Sequence, residues 1–167
     1  MPPRNRSELS HAIEHQARIG STHTVLFHTA VAERLGLNPS DHKVADILSL
    51  EEGPVTPGRL AELTGLTTGA ITGVIDRLEN AGFVARLPDP ADRRRTIVQL
   101  LPGRTPEVAD LFSSIGARLR KLCSEYTAEE LALVLEFMER STDVVKASAA
   151  ELRDRGLSPA PKKRASQ

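Results

Sequence analysis

The sequence predicts a mainly α-helical fold that carries one small β-wing, and three stretches predict it. Ile71, Val74, Ile75 and Leu78 recur at three- and four-residue spacing and so share one face of a helix. Immediately afterwards the period changes. Phe83 to Leu87 and Arg95 to Leu100 are short apolar and β-branched runs, parted by the turn-forming Pro88-Asp89-Pro90-Ala91-Asp92. Upstream, Thr56-Pro57 gives an N-cap followed by proline at the first helical position, and Gly65 interrupts the short apolar face of Leu60 and Leu63. The third stretch and the first form a helix-turn-helix, and the second is its wing.

In chain order, residues 1–6 read as an unstructured tail. Ser7 with Glu8 opens a long helix running to Leu35, with Leu9, Ile13, Ile19, Leu26 and Ala30 as its apolar stripe. Gly36-Leu37-Asn38-Pro39 ends it, and Ser40 is expected to cap a second helix bearing Val44, Ile47 and Leu48. In the helix-turn-helix, Ala61 is the small residue where two helices cross, and Gly65 is free to take a positive φ. Thr67 and Thr68 offer the hydroxyl that caps the second helix of the pair. Gly82 stands where its C-terminus wants a left-handed residue. The hairpin that follows carries Arg93, Arg94 and Arg95 at its tip.

Beyond the wing, Thr105-Pro106 starts a helix whose Val108, Leu111, Phe112, Ile115, Leu119, Leu122 and Tyr126 lie close to a heptad seam. Thr127 and Glu130 form a capping box for a last helix with Leu131, Val134, Met138, Val145, Ala149 and Leu152. These terminal helices offer more apolar surface than a small winged domain covers, which points to a helical dimer interface rather than an intrachain bundle. The expected organisation is a winged helix-turn-helix over 40–104, a dimerisation region built from 7–36 and 105–155, and disordered tails at 1–6 and 156–167.

The run DRLENAGFVARLPDPADRRR resembles the hallmark of the MarR family of bacterial transcriptional regulators (multiple antibiotic resistance regulators). The likeness is clearest at Asp76-Arg77-Leu78-Glu79, at Gly82 and at the wing motif Asp92-Arg93-Arg94. It covers residues 40–104; outside them only the helical layout agrees. The resemblance implies a homodimer on a palindromic double-stranded DNA operator, often released by a small-molecule effector or an oxidant. It also places the wing arginine at Arg94, two residues after Asp92. One departure stands out: many relatives carry Arg or Lys where this chain has Gly73.

Composition narrows the function further. Lys+Arg and Asp+Glu both number 22, so no global field draws the chain to nucleic acid and DNA binding must rest on a local patch. From Arg86 to Arg104 there are five arginines against two aspartates, which marks that patch. The single Cys123 excludes an internal disulfide and fits a reducing cytoplasm. No apolar run exceeds Leu131 to Leu135, so neither a signal peptide nor a membrane span is expected.

The candidate DNA-binding residues are Thr67, Thr68, Gly69, Thr72, Gly73 and Arg77 on the second helix, and Arg93, Arg94 and Arg95 on the wing. Backbone N–H groups and hydroxyls at a helix N-terminus suit phosphates and base edges. Gly69 and Gly73 lie four apart on one face, where they serve either close approach to the groove or tight helix packing. Arg94 is expected in the minor groove with Arg93 and Arg95 on phosphates, while Asp92 orients an arginine. A plain solvated charge run is the competing reading of the wing.

His23, on the apolar side with Ile19 and Leu26, is a candidate for an effector pocket or else an interface histidine. His11 and His15 have a zinc-compatible spacing but no further ligands around them, so no metal or cofactor is expected. Cys123 reads as a packing residue, and no cysteine stands in the first helix, where the family's peroxide sensors carry theirs. No phosphate loop, HExxH, nucleophile elbow or clustered acid pair occurs, so catalysis is not expected. The alternative is a winged-helix interaction adaptor that does not bind DNA specifically.

Overall fold

The computed structural model describes residues 5–154. Its elements are α1 (Arg6–Arg34), α2 (Pro39–Leu50), α3 (Pro57–Thr64), α4 (Thr68–Asn80), β1 (Val84–Pro88), β2 (Thr96–Leu100), α5 (Thr105–Cys123) and α6 (Ala128–Asp154), with a 3-10 turn at Pro102–Arg104 before α5. The fold is mostly helical with a two-stranded antiparallel wing. The chain divides into two compact units, one through Phe112 and one from Ser113.

Local chemistry sets most boundaries. The first helix begins earlier than its apolar pattern suggests, because Asn5 caps it: Glu8 N–H donates to Asn5 Oδ1 and the Asn5 N–H donates to Glu8 Oε2. Arg6 therefore belongs to α1, with Asn5 as its cap, and not to the expected 1–6 tail; the expected tail at 156–167 lies outside the described residues. The cap of α2 is Asn38, not Ser40. Its Oδ1 accepts from the Asp41 N–H at 2.9 Å, and Pro39 fills the first helical position, where no N–H is needed.

Thr56 and Thr67 cap α3 and α4 as expected, accepting from the Arg59 and Ala70 N–H groups. Gly65 (φ 72°) and Gly82 (φ 73°) end these helices in the left-handed region. Thr127 and Glu130 cap α6 reciprocally. Tyr126 falls in the turn after α5 and not on its seam.

In the first unit one core gathers the ends of several elements. Leu60, Ile71, Ile75 and Leu78 are fully buried, each contributing about 1.5–3 kcal/mol of apolar transfer. They pack with Val31, Ala32, Leu35, Val44, Val55, Phe83, Val84 and Val98. The last turns of α1 thus share the core of the helix-turn-helix. In the wing, Val84 pairs with Leu100 and Pro88 with Thr96; Pro88 closes its strand at the end, where a missing N–H costs little. Val98 donates its N–H to Val55 O at 2.8 Å, which anchors β2 to the segment before α3.

The beginning of α1 buries nothing comparable: Leu9, Ile13 and Ile19 are exposed. In the second unit, Ile115, Leu119 and Leu122 on α5 and Leu133, Phe137, Met138, Val144 and Val145 on α6 are exposed as well.

Candidate nucleic-acid interface

Helix α4 buries Ile71, Val74, Ile75 and Leu78, and at roughly 100° per residue the strip opposite that face carries Gly69 and Gly73. A Cβ added at Gly69 meets nothing within 4 Å, and one at Gly73 meets only the Arg77 NH1 at 3.5 Å. Intrachain helix packing therefore does not explain these glycines. Gly69 is exposed and lets another surface approach the helix backbone closely, while Gly73 is half-buried beside the Arg77 side chain. Thr68 and Thr72 are exposed beside the strip, although the Thr72 hydroxyl donates to Thr68 O at 2.9 Å; the Thr67 hydroxyl is occupied in capping.

Arg77 has a partner that the sequence did not disclose. Its Nε and NH2 donate to the two carboxylate oxygens of Asp41 at 2.8 and 2.7 Å. The Asp41 side chain is 3% exposed while that of Arg77 is 52% exposed. The hydrogen bond to Asp41 keeps the guanidinium still more firmly protonated than usual, against a smaller opposing effect of burial. Arg77, a candidate DNA contact from the sequence, is anchored at one edge by Asp41.

Arg86, at the root of the wing, bridges α4 and β1. Its guanidinium donates to Asp76 and to Glu79 and more weakly to Thr72 O at 3.4 Å, while its backbone N–H donates to Glu79 Oε1 at 3.0 Å. Arg104 lies over the Phe83 ring at 4.4 Å, with Nε 3.0 Å from Glu107 as an ion pair without hydrogen-bond geometry. The local arginine excess counted along the sequence is thus partly neutralised at its base. Arg86 stands ten residues from Asp76 and seven from Glu79 in a different element, a separation that gives no signal by which sequence could have found the pairing.

At the wing tip the charge stays open. Asp92 O accepts from the Arg95 N–H at 2.9 Å, and Asp92 Oδ1 accepts from the Arg94 N–H at 3.0 Å, so Asp92 shapes the backbone turn and not a guanidinium. Arg93 and Arg94 occupy the two central positions, and among the described residues nothing pairs with their guanidinium groups. Arg95 differs: its Nε lies 3.9 Å from Asp89, a buried carboxylate that also accepts from the Ala91 N–H. Asp89 was missed in the sequence, where Asp-Pro-Ala gave only a turn signal.

His23 is exposed and does not line the cleft of the first unit. That cleft, of about 320 Å³, lies among Leu35, His42, Phe83, Leu100, Arg104 and Phe112. The helical register of α1 brings His28, not His23, to this neighbourhood: His28 Nδ1 lies 3.1 Å from His42 Nε2. His42 is 3% exposed, and burial, reinforced by His28, pulls its pKa below 6.5.

The geometry so far is a bare recognition helix braced from behind and a wing offering two open arginines. A MarR family model matches residues 35–95, from the end of α1 through the wing tip. The HTH-type transcriptional regulator YcgE of Bacillus subtilis (strain 168), itself uncharacterised, is 45% identical over 154 residues, spanning 92% of this chain and 99% of that protein. The chain belongs to the MarR family. Like its MarR-family relatives, it is a DNA-binding transcriptional regulator with a winged helix-turn-helix.

Solved structures agree on the fold. The transcriptional regulator Tm0710 of Thermotoga maritima superposes with a TM-score of 0.55 at 26% identity, over 84% of this chain and 98% of that one. A MarR family protein of Bacillus stearothermophilus gives a TM-score of 0.64 at 19% identity, over 86% and 99%. Among the described residues no helix is long and apolar enough to cross a membrane.

Proposed function

We propose that this MarR-family chain is a sequence-specific regulator, acting as a repressor, that binds a palindromic double-stranded DNA operator as a homodimer in the cytoplasm. The observation that carries the DNA reading is the wing tip: Arg93 and Arg94 extend from a turn pinned by Asp92, and nothing among the described residues neutralises them. An interaction adaptor has no use for open cations at that place. Thr68, Thr72 and the bare strip of Gly69 and Gly73 meet the major groove, Thr67 sets the helix N-terminus toward a phosphate, and Arg94 enters the minor groove between phosphate contacts of Arg93 and Arg95.

The homodimer reading rests on the apolar side chains left exposed along α1, α5 and α6. A small-molecule effector would fit the apolar cleft beside His42 and Phe112 better than the surface at His23. The test is selection of bound duplexes from a random pool at moderate salt, with the winning site returned to the protein in a release screen. A palindrome with half-sites about 10 bp apart is the expected result. Equal affinity for random and selected duplexes would defeat the reading.

A further inference from the structure

We propose that Asp41 is a positioning residue for DNA recognition, holding Arg77 so that the free end of its guanidinium reads one guanine in each half-site. The inference rests on the DNA-binding reading above and names the base contact that the missing side chain at Gly73 leaves open.

A guanidinium carries five N–H donors in a rigid plane. Asp41 takes the side edge, through Nε at 2.8 Å and one hydrogen of NH2 at 2.7 Å. The end edge remains, with NH1 and the second hydrogen of NH2 pointing the same way. Two parallel donors at that spacing match the O6 and N7 acceptors of guanine in the major groove. No partner for NH1 occurs among the described residues.

The direction of that edge follows from the helix. Long side chains on a helix lean toward its N-terminus, and Arg77 does so: NH1 lies 3.5 Å from where a Cβ on Gly73 would stand. Gly73 belongs to the strip opposite the buried face, so the free edge lies over the part of α4 that enters the groove. A phosphate contact would call for a donor on the flank of the helix. With Gly69 and Gly73 bare, one arginine from the next turn serves the strip.

The anchor is itself fixed. Asp41 stands in the first turn of α2, its carboxylate accepts from Asn38 Nδ2 at 2.8 Å, and its backbone N–H donates to the Asn38 cap. An arginine tied at one edge by a buried carboxylate has few rotamers left to lose when it meets a base. A mobile arginine at the same place would discriminate less sharply.

The experiment uses the full chain and its selected operator, with each half-site guanine replaced in turn by 7-deazaguanine, which lacks the N7 acceptor. Wild type is expected to lose about 10-fold or more in affinity at one position per half-site. Arg77→Ala should show no such loss and no guanine preference in a fresh selection. Arg77→Lys, which has no planar fork, should not restore it. Asp41→Asn should reduce the preference several-fold while thermal unfolding monitors the fold. If wild type is indifferent to 7-deazaguanine at every position, the inference fails without recourse to any variant. If Arg77→Ala weakens all duplexes alike and keeps the guanine preference, the pair is only a structural brace. Wild type that selects no sequence at all would instead remove the regulator reading beneath it.

Discussion

Arg86 donates to the carboxylate of Glu79 twice, from its backbone N–H at 3.0 Å and from its guanidinium at 2.5 Å. The two residues join the last turn of α4 to the first strand of the wing, and a further bond to Asp76 makes the join a fork. The backbone bond first, and the guanidinium after it, hold the Glu79 carboxyl below its ordinary range. Burial opposes the Arg86 charge, and the two carboxylates outweigh it. The angle between recognition helix and wing is thereby set before DNA arrives.

Arg86→Ala is therefore expected to lower unfolding free energy by about 1 kcal/mol, a partly exposed network being worth no more. Arg86→Lys should recover only part of this, since an ammonium cannot serve two carboxylates in one plane. Operator affinity should fall further than stability does, with wing protection in a hydroxyl-radical footprint fading before that of the helix. Urea titration alongside footprinting measures both.

Acid should weaken the fold through His42. Its folded pKa lies below the unfolded 6.5, so the stability it confers is complete above 6.5 and is lost as pH falls through the folded value. Glu79, lowered from 4.5, adds a second loss at more acid pH with the same sign. His28, Lys43 and Asp46 surround His42, and Asp46 alone opposes the lowering. Melting temperatures between pH 7.5 and 5 should decline, and His42→Gln should flatten the slope above pH 5. An unchanged slope in that variant would sink the assignment.

Arg94→Ala should cost operator affinity strongly and flatten a preference for A·T-rich flanks, where a narrow minor groove attracts an inserted arginine. Arg59→Ala is the control. That side chain lies between Glu51 at 3.6 Å and Glu62 at 3.4 Å, and its loss should leave binding nearly unchanged. Fluorescence anisotropy on flank-varied duplexes separates the two.

Glycines on α4 and at its borders should respond in opposite directions. Gly69→Ala adds a methyl into open space within a helix and should stabilise by up to about 1 kcal/mol. Gly65→Ala and Gly82→Ala force an alanine to φ near 70° and should each destabilise by about 1–2 kcal/mol. If bare backbone is needed at the groove, Gly69→Ala should nevertheless bind operator more weakly. Chemical denaturation paired with gel shift checks both halves.

Leu119→Glu, on the exposed apolar face of α5, should shift sedimentation from dimer to monomer and weaken operator binding together. A wild-type monomer at micromolar concentration would contradict the homodimer.

Much of this protein was decided within a few residues of chain. Thr56, Thr67 and Thr127 cap their helices because a hydroxyl reaches an N–H three residues on, and Gly65 and Gly82 end theirs because no Cβ resists positive φ. The 3.6-residue period of Ile71 to Leu78 determined which side of α4 is core, and so which side is bare. The sequence pattern misplaces the caps at Asn38 and Asn5 onto Ser40 and Ser7, although the proline after Asn38 and Glu8 three residues after Asn5 are local signals for them. Tertiary structure alone decided the rest. Asp41 meets Arg77 across 36 residues and His28 meets His42 across 14. Arg86 finds Asp76 only because a hairpin folds back on a helix. Such pairs depend on how elements pack, and packing is carried by apolar shape, which says nothing in one dimension about which charges it will bring together. The open arginines at the wing tip belong to both: the sequence put them in a row, and the fold left Arg93 and Arg94 without a partner among the described residues while turning Arg95 toward Asp89.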